Sequence, residues 1–448
     1  MSVRAASPFL TAGYRPVATE TTAHGLQVRG TLPPELDGTV LRIGPNPLGR
    51  PDPARHQVLA GDAMVHGLRL RDGRAQWYRN RWLRTDRVCR ALGALPTPGP
   101  RHGLSDNAND NIVRHGGRTL ALGDGGVLPV ELCPELGTIA RSDLDATLPN
   151  GLCAHPERDP LTGELFAVAY GPGLPYAQFL TVDPAGRVRR CEPVDIGRTS
   201  MMHAFSLTER FAVLYDLPVV FSPAAAAAGR RIPYVWDDRG GARLGVLPRA
   251  GDAPVRWFDI EPCYVFHAVN AYETGRTIVV DAVRHNRVFA ADPLAPGESA
   301  PTLCRWTLGL DSGTVTERRL DDRPQEFPRI DDQVRGSAHR FAVTVGMRDG
   351  AGGAFAGPEL LRHDLAAGRT ETHRYGPGRQ TGEAVFVPRR PDAPEGDGWL
   401  LSFVYDMATD RSDLVVLDTS DFAGPPAAVV RLPVRVPHGL HATWIPAG

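Results

Sequence analysis

Short runs of β-prone residues, each closed by a turn former, recur from one end of the chain to the other. The clearest are GTVLRIG, ELFAVAY, RFAVLYDLPVVF, RTIVVDAV, HRFAVTVG, GWLLSFVYD and DLVVLD, with DPAG, DSG and DTSD among the turns. Valine, isoleucine and the aromatics suit a pleated, half-buried backbone, and the turn residues end each run. The 48 glycines and 41 prolines are spread evenly, so they punctuate turns and mark no linker. This pattern predicts an all-β sandwich, barrel or propeller. A length of 448 residues favours the propeller, because a closed ring of four-stranded blades absorbs about 40–60 residues per blade. The residues themselves carry no repeat signature that counts the blades. Long amphipathic helices are scarce; SPAAAAAG at 222–229 predicts one short helix capped by Ser222. One domain spanning 1–448 is the expectation.

Charge narrows the function. The 50 basic residues against 51 acidic ones give a net charge of -1, which argues against phosphate-driven nucleic-acid binding and against a polybasic membrane anchor. Every basic residue is arginine, and no lysine occurs. Schiff-base, P-loop and general-base lysines are therefore excluded. Cys89, Cys133, Cys153, Cys191, Cys263 and Cys304 are scattered without a CxxC pair, as expected of free, buried or half-buried thiols in a reducing compartment. MSVRAASPFLTAGYRPV lacks the apolar core of a signal peptide. No stretch approaches the roughly 18 apolar residues of a membrane span. A cytoplasmic protein is expected.

The 14 histidines separate by context. His24, His56, His102, His115, His285, His363 and His373 have charged, glycine or polar neighbours and read as solvated. His155 in GLCAHPERDP, His203 in SMMHAFSL, His267 in CYVFHAVNAYE and His441 in PHGLHATWIP lie in apolar or turn-adjacent settings. An imidazole in such a place must pair its nitrogens with hydrogen-bond partners or a metal. Each alone reads as a satisfied core histidine. Together, at separations of 48, 64 and 174 residues, they suit ligands sent by different blades to a common axis.

Several long blocks then carry a family resemblance. They begin with YRPVATETTAHGLQVRGTLPPELDGTVLRIGPNP and GDAMVHG (Gly61 to Gly67), followed by AHPERDPLTGEL and MMHAFSLTERFAVLYDLPVVF. EPCYVFHAVNAYE, EFPRIDDQVRG, EAVFVPRR with GDGWLLSFVYD, and VPHGLHATWIP complete the series. In this order they resemble the carotenoid cleavage oxygenases along nearly the whole chain. The resemblance implies a seven-bladed β-propeller with loops and short helices capping the active-site face. It also implies one Fe(2+) per chain, held on the axis by His155, His203, His267 and His441, with dioxygen as co-substrate. Four neutral imidazoles leave the 2+ charge uncompensated and coordination positions open. Carboxylates behind the ligands would accept the distal ring N–H; Glu326 and Glu383 match two of the family's three glutamates. Phe266 and Phe327 match positions that shape the substrate tunnel.

Two positions depart from that pattern. Asp124, in LALGDGG, stands where the third glutamate is expected, one methylene shorter, so backbone or water must make up the gap. Asp110, in NANDN, stands where many members carry a threonine near the open iron position. The resemblance implies oxidative cleavage of a C=C bond in a small, apolar, conjugated substrate, first a carotenoid or apocarotenoid. The alternative is a phenylpropenoid or stilbene alkene, for example isoeugenol cleaved to vanillin. That branch typically polarises its phenol with a tyrosine and a lysine; Gly123 occupies the lysine's place. An iron-dependent isomerohydrolase and a non-catalytic propeller binding an apolar ligand remain as further readings. Transient contact with a membrane is compatible with such a substrate, and no protein partner is implied.

Overall fold

Strands form where the apolar runs predict them. In the computed structural model, Gly38–Pro45, Leu165–Ala169, Thr277–Arg284, Phe341–Gly346, Gly398–Asp406 and Arg411–Asp418 cover six of the seven runs; the long run 210–221 splits into Phe211–Asp216 and Val219–Phe221. Residues 7–102, 105–172, 174, 176–251, 253–292, 297–348 and 355–447 are described. Seven antiparallel sheets of four or five strands make the blades of a β-propeller. The second blade is Asn111–His115, Arg118–Leu122, Val130–Leu132 and Thr138–Arg141, and the third Glu157–Arg158, Leu165–Ala169, Ala177–Val182 and Val188–Val194. Phe205–Leu207, Phe211–Asp216, Ala242–Pro248 and Arg256–Ile260 form the fourth; Ala268–Thr274, Thr277–Arg284, Thr302–Gly309 and Val315–Asp321 form the fifth. The sixth holds Gln325–Arg329, Phe341–Gly346, Glu359–Asp364 and Arg369–Arg374.

The ring is closed by both ends of the chain. The first blade, Gly38–Pro45, Ala63–Arg71 and Arg74–Trp82, receives Ala442–Pro446 as its innermost strand and Thr21–Ala23 at its outer edge. The seventh, Arg379–Pro388, Gly398–Asp406, Arg411–Asp418 and Ala428–Arg431, takes Val28–Gly30 on its outside. Two edges are thereby covered, as a ring of sheets requires.

Burial grades outward. Gly398–Asp406 is buried at eight of nine positions because neighbouring blades cover both its faces, whereas Val315–Asp321, at an outer edge, is mostly exposed. Trp306, Tyr215, Phe179 and Phe205 fill one core shared by the third, fourth and fifth blades. Leu68, Tyr78, Leu401 and Phe403 join the first blade to the seventh. Each such side chain contributes about 1.5–3 kcal/mol on burial. Helices are few, and the anticipated one is present: Ser222 accepts the Ala225 N–H at the start of Pro223–Ala227. It lies between the strands of a ribbon, Val219–Phe221 paired with Tyr234–Trp236. Asp86–Leu92 is a second, unanticipated helix, capped by Thr85 and ended by Gly93. The six cysteines are free, four of them buried.

Candidate metal centre

Every blade brings a histidine or a carboxylate to its innermost strand or just ahead of it. His155, His203, His267 and His441 stand one or two residues ahead of Glu157–Arg158, Phe205–Leu207, Ala268–Thr274 and Ala442–Pro446. Asp110 immediately precedes Asn111–His115, while Glu326 and Glu383 lie within Gln325–Arg329 and Arg379–Pro388. The strand pairing shifts register at Ala268/Asn270, Glu326/Arg329 and Thr381/Ala384. Such irregularities bend a strand and re-aim its side chains. Phe327, within one of them, takes φ +55°, a left-handed conformation costing an aromatic residue about 1–3 kcal/mol and found mostly at functional sites.

The four histidines meet. One ring nitrogen from each lies within 4.8 Å of the others, and the ring centroids of His155 are 4.4, 4.5 and 5.1 Å from those of His441, His203 and His267. Three rings are held from behind by carboxylates. His267 Nδ1 donates to Glu326 Oε2 at 2.5 Å, His441 Nδ1 to Glu383 Oε1 at 3.2 Å, and His203 Nδ1 to Asp124. Because a carboxylate only accepts, each Nδ1 carries the proton, and in the neutral ring the opposite Nε2 presents a lone pair. His267 Nε2 and His441 Nε2 face each other at 3.1 Å, and His155 Nε2 is buried without a partner. Converging lone pairs in a buried place repel unless a cation lies between them. The donor set therefore fits a divalent metal ion.

Asp124 bonds His203 directly, and no water is needed to bridge the missing methylene. The backbone supplies the reach: a Cβ on Gly123 would stand 3.0 Å from Ala108 Cα and Asn107 O, so the bare glycine lets this turn press against 107–109. Asp124 also accepts from Ala154 N and the Tyr170 hydroxyl, both at 2.8 Å. Glu383 is gripped by Arg329, at 2.9 and 3.2 Å, and by Ala442 N at 2.6 Å. Glu326 accepts a second ring through its other oxygen, from His285 Nε2 at 3.0 Å.

Charge follows these contacts. Burial opposes ionisation of Glu326 and Glu383, yet His267 with His285 holds the first well below the usual carboxylate range, and Arg329 with His441 lowers the second. Burial pushes His441 down to about 4 against the pull of Glu383; burial also holds His155 well below the usual imidazole value, with three imidazoles around it adding to the fall. Burial also works against the His203 imidazolium, but Asp124 outweighs it and lifts this group to about 9. Burial raises Asp110 to about 7, with Asp124 and Glu383 adding to the rise and His203 opposing it.

Above the histidines lies a cavity of about 890 Å³. Phe266, Phe327, Phe221, Met201, Ile232 and Phe355 give it an apolar lining. Phe266 packs edge-on against His203 and His285, at 5.7 and 5.1 Å; Phe327 stacks on His267 at 5.2 Å. Phe221, Ile232 and Tyr234 come from the capping ribbon and the chain leading into it. The exposed His102 and Arg231 lie at its rim.

Four of the histidines expected in solvent are buried instead: His115, His285, His363 and His373 are 3–5% exposed. Polar sequence neighbours misled here, because they point to the opposite face of a strand or into turns. His115, His363 and His373 bond Asp183 O, Gln325 Oε1 and Phe422 O. Tyr170 and Arg329 also escaped sequence reasoning, although Arg329 sits inside the EFPRID block.

Four imidazoles gathered on the axis of a propeller beneath an apolar cavity suit a metal-dependent enzyme that acts on small apolar molecules. The chain belongs to the family described as retinal pigment epithelial membrane protein, which it matches over residues 14–446. It is 42% identical to a carotenoid cleavage oxygenase of Mycobacterium tuberculosis, over 98% of both chains. It is 31% identical to an isoeugenol monooxygenase of Pseudomonas nitroreducens, again over 98% of each. Lignostilbene dioxygenase from Pseudomonas brassicacearum superposes with a TM-score of 0.89 at 27% identity, covering 98% of this chain and 99% of that one. This family places the chain among enzymes that cleave carbon–carbon double bonds with oxygen. Among the described residues no helix is long and apolar enough to cross a membrane.

Proposed function

We propose that the protein is a ferrous-iron-dependent oxygenase that cleaves a C=C bond of a carotenoid or apocarotenoid to carbonyl products. The observation that carries this reading is the four-imidazole cradle opening directly into the apolar cavity. His155, His203, His267 and His441 would hold one Fe(2+), which supplies the activation of dioxygen. Glu326, Glu383 and Asp124 fix the ring orientations and keep each Nδ1 protonated, so that Nε2 is the donor. Phe266 and Phe327 wall the space beside the ligands, excluding water and setting the alkene against them. Tyr234, whose hydroxyl is buried without a partner on the cavity wall, would donate to an oxygen substituent at one end of the substrate.

The size and chemistry of the cavity favour a polyene over a phenylpropenoid. Its volume is near the upper end of the about 300–1,000 Å³ usual for small-molecule sites, and a single-ring substrate would leave most of it empty. A phenol-polarising lysine is absent, and a side chain at Gly123 would meet backbone 3.0 Å away. The higher identity to the carotenoid cleavage oxygenase, 42% against 31%, points the same way. The test offers an apocarotenal and isoeugenol together to protein loaded anaerobically with ferrous iron, then admits air. Polyene-derived aldehydes in the mass spectrum are expected. Vanillin in their place would overturn the substrate assignment; no product and no oxygen uptake would overturn the oxygenase.

A further inference from the structure

Of the seven residues brought to the innermost strands or just ahead of them, four are imidazoles of the tetrad and two, Glu326 and Glu383, are carboxylates that hold imidazole rings. Asp110 is the seventh. It is 8% exposed, and its Oδ1 is buried without a hydrogen-bond partner. That oxygen lies 3.6 Å from His441 Nε2, the atom that also faces His267 Nε2 at 3.1 Å. His441 already gives its Nδ1 proton to Glu383, so Nε2 has no proton to offer Asp110. As a carboxylate, Asp110 therefore sets an acceptor against an acceptor; it also belongs with Asp124 and His203 to a second cluster of candidate donors within 4.8 Å of one another, which shares His203 with the tetrad. Two donors on one first-row ion, each about 2.1 Å from it, stand roughly 3.0–4.2 Å apart, and 3.6 Å falls within that span. The backbone keeps this geometry: Asp110 N donates to Leu122 O at 3.0 Å, and His441 N donates to Asp110 O at 3.3 Å. Asp110 and His441, from adjacent blades, move as one hydrogen-bonded unit.

We propose that Asp110 is an anionic donor of the metal centre, its carboxylate facing the ion from the His441 side, so that the site is four imidazoles and one carboxylate. This rests on the reading that the histidine tetrad holds the metal. The added charge offsets half of the ion's 2+ and occupies a position that a neutral side chain would leave open. A hard oxygen also tilts the donor set toward iron and manganese and away from softer ions.

The test compares wild type, Asp110→Asn, Asp110→Ser and His155→Ala, each loaded anaerobically with ferrous or cobaltous ion. The readouts are the dissociation constant, by chelator competition, and the visible spectrum of the cobalt form, which reports coordination number and donor type. Loss of the carboxylate is expected to weaken metal affinity by at least about tenfold and to change the cobalt bands. The two substitutions differ in size, so a shared effect reports the charge and not local packing; circular dichroism checks that each variant is folded. Affinity within about threefold of wild type and an unchanged cobalt spectrum in both Asp110 variants, with His155→Ala losing the metal, would overturn the role of Asp110 alone. Retention of metal by His155→Ala would overturn the tetrad reading and this inference with it.

Discussion

Asp124 shows how many contacts a single carboxylate sustains at this site. One oxygen accepts from Ala154 N, next to His155; the other accepts from Tyr170 and from His203. Asp124→Asn would put an amide where three donors converge: with its oxygen toward Tyr170 and His203 its NH2 group meets the Ala154 N–H, and His203 is left with a neutral acceptor in place of a carboxylate. Metal affinity is expected to fall about 10–100-fold. Asp124→Glu should fall with it, because Gly123 has already brought the backbone close and an extra methylene has nowhere to go. Chelator competition on the three proteins checks both; a glutamate variant that binds more tightly than wild type would contradict the direct contact. At this scale the sequence was readable for the histidines themselves, whose apolar settings demand partners, and for Glu326 and Glu383 through their blocks. It was not readable for His285, whose polar neighbours concealed a bond to Glu326. Nor did it show the reach of Asp124, which depends on a glycine pressed against residues far from it in function.

Between elements, the blades are tied by a few charged clamps. Arg249, just past Ala242–Pro248 of the fourth blade, pairs with Asp159 beside the third. It also donates to Thr208 O and Glu209 O at 2.9 Å and lies over the Phe166 ring at 4.3 Å. Asp159 further accepts the N–H groups of Leu161 and Thr162, at 2.8 and 3.2 Å. Burial opposes its charge, yet Arg249 and those N–H groups hold the carboxyl below the usual value. A carboxyl depressed in the folded state stabilises above its unfolded value, about 3.9, and loses that contribution as pH falls through the folded value. Asp159→Asn is therefore expected to cost about 1.5–3 kcal/mol at neutral pH. The gap in Tm between wild type and variant should shrink below about pH 4. Thermal melts from pH 3 to 8 measure it; a gap independent of pH would contradict the clamp. The innermost strands were the least legible elements. Middle strands such as Gly398–Asp406 are apolar at most positions because two blades cover them. Gln325–Arg329 carries polar residues because Glu326 and Arg329 hold the axis, and Glu157–Arg158 is only two residues long, so neither shows the pattern that marks a strand.

Across the whole molecule, the ring and its candidate metal site are one cooperative object. The candidate ligands come from the first, third, fourth and fifth blades, and His441 enters on the strand that closes the circle. The close approach needed there is visible at Gly44, where a Cβ would stand 2.6 Å from Gly439 Cα. Turn spacing and length made a propeller legible, but the blade count came from the family blocks, because pairing Gly38–Pro45 with Ala442–Pro446 leaves no local mark in either segment. An ion bound only by the closed ring stabilises it by mass action. At a free concentration one hundred times the dissociation constant the gain is about 2.7 kcal/mol. For a chain of this length the unfolding entropy makes that a Tm rise of roughly 3 °C. Ferrous or cobaltous ion should produce this rise in wild type under anaerobic conditions. His155→Ala, which removes one donor while leaving the closing strand untouched, should unfold at the same temperature with and without metal. An equal rise in that variant would place the bound ion elsewhere than on the axis.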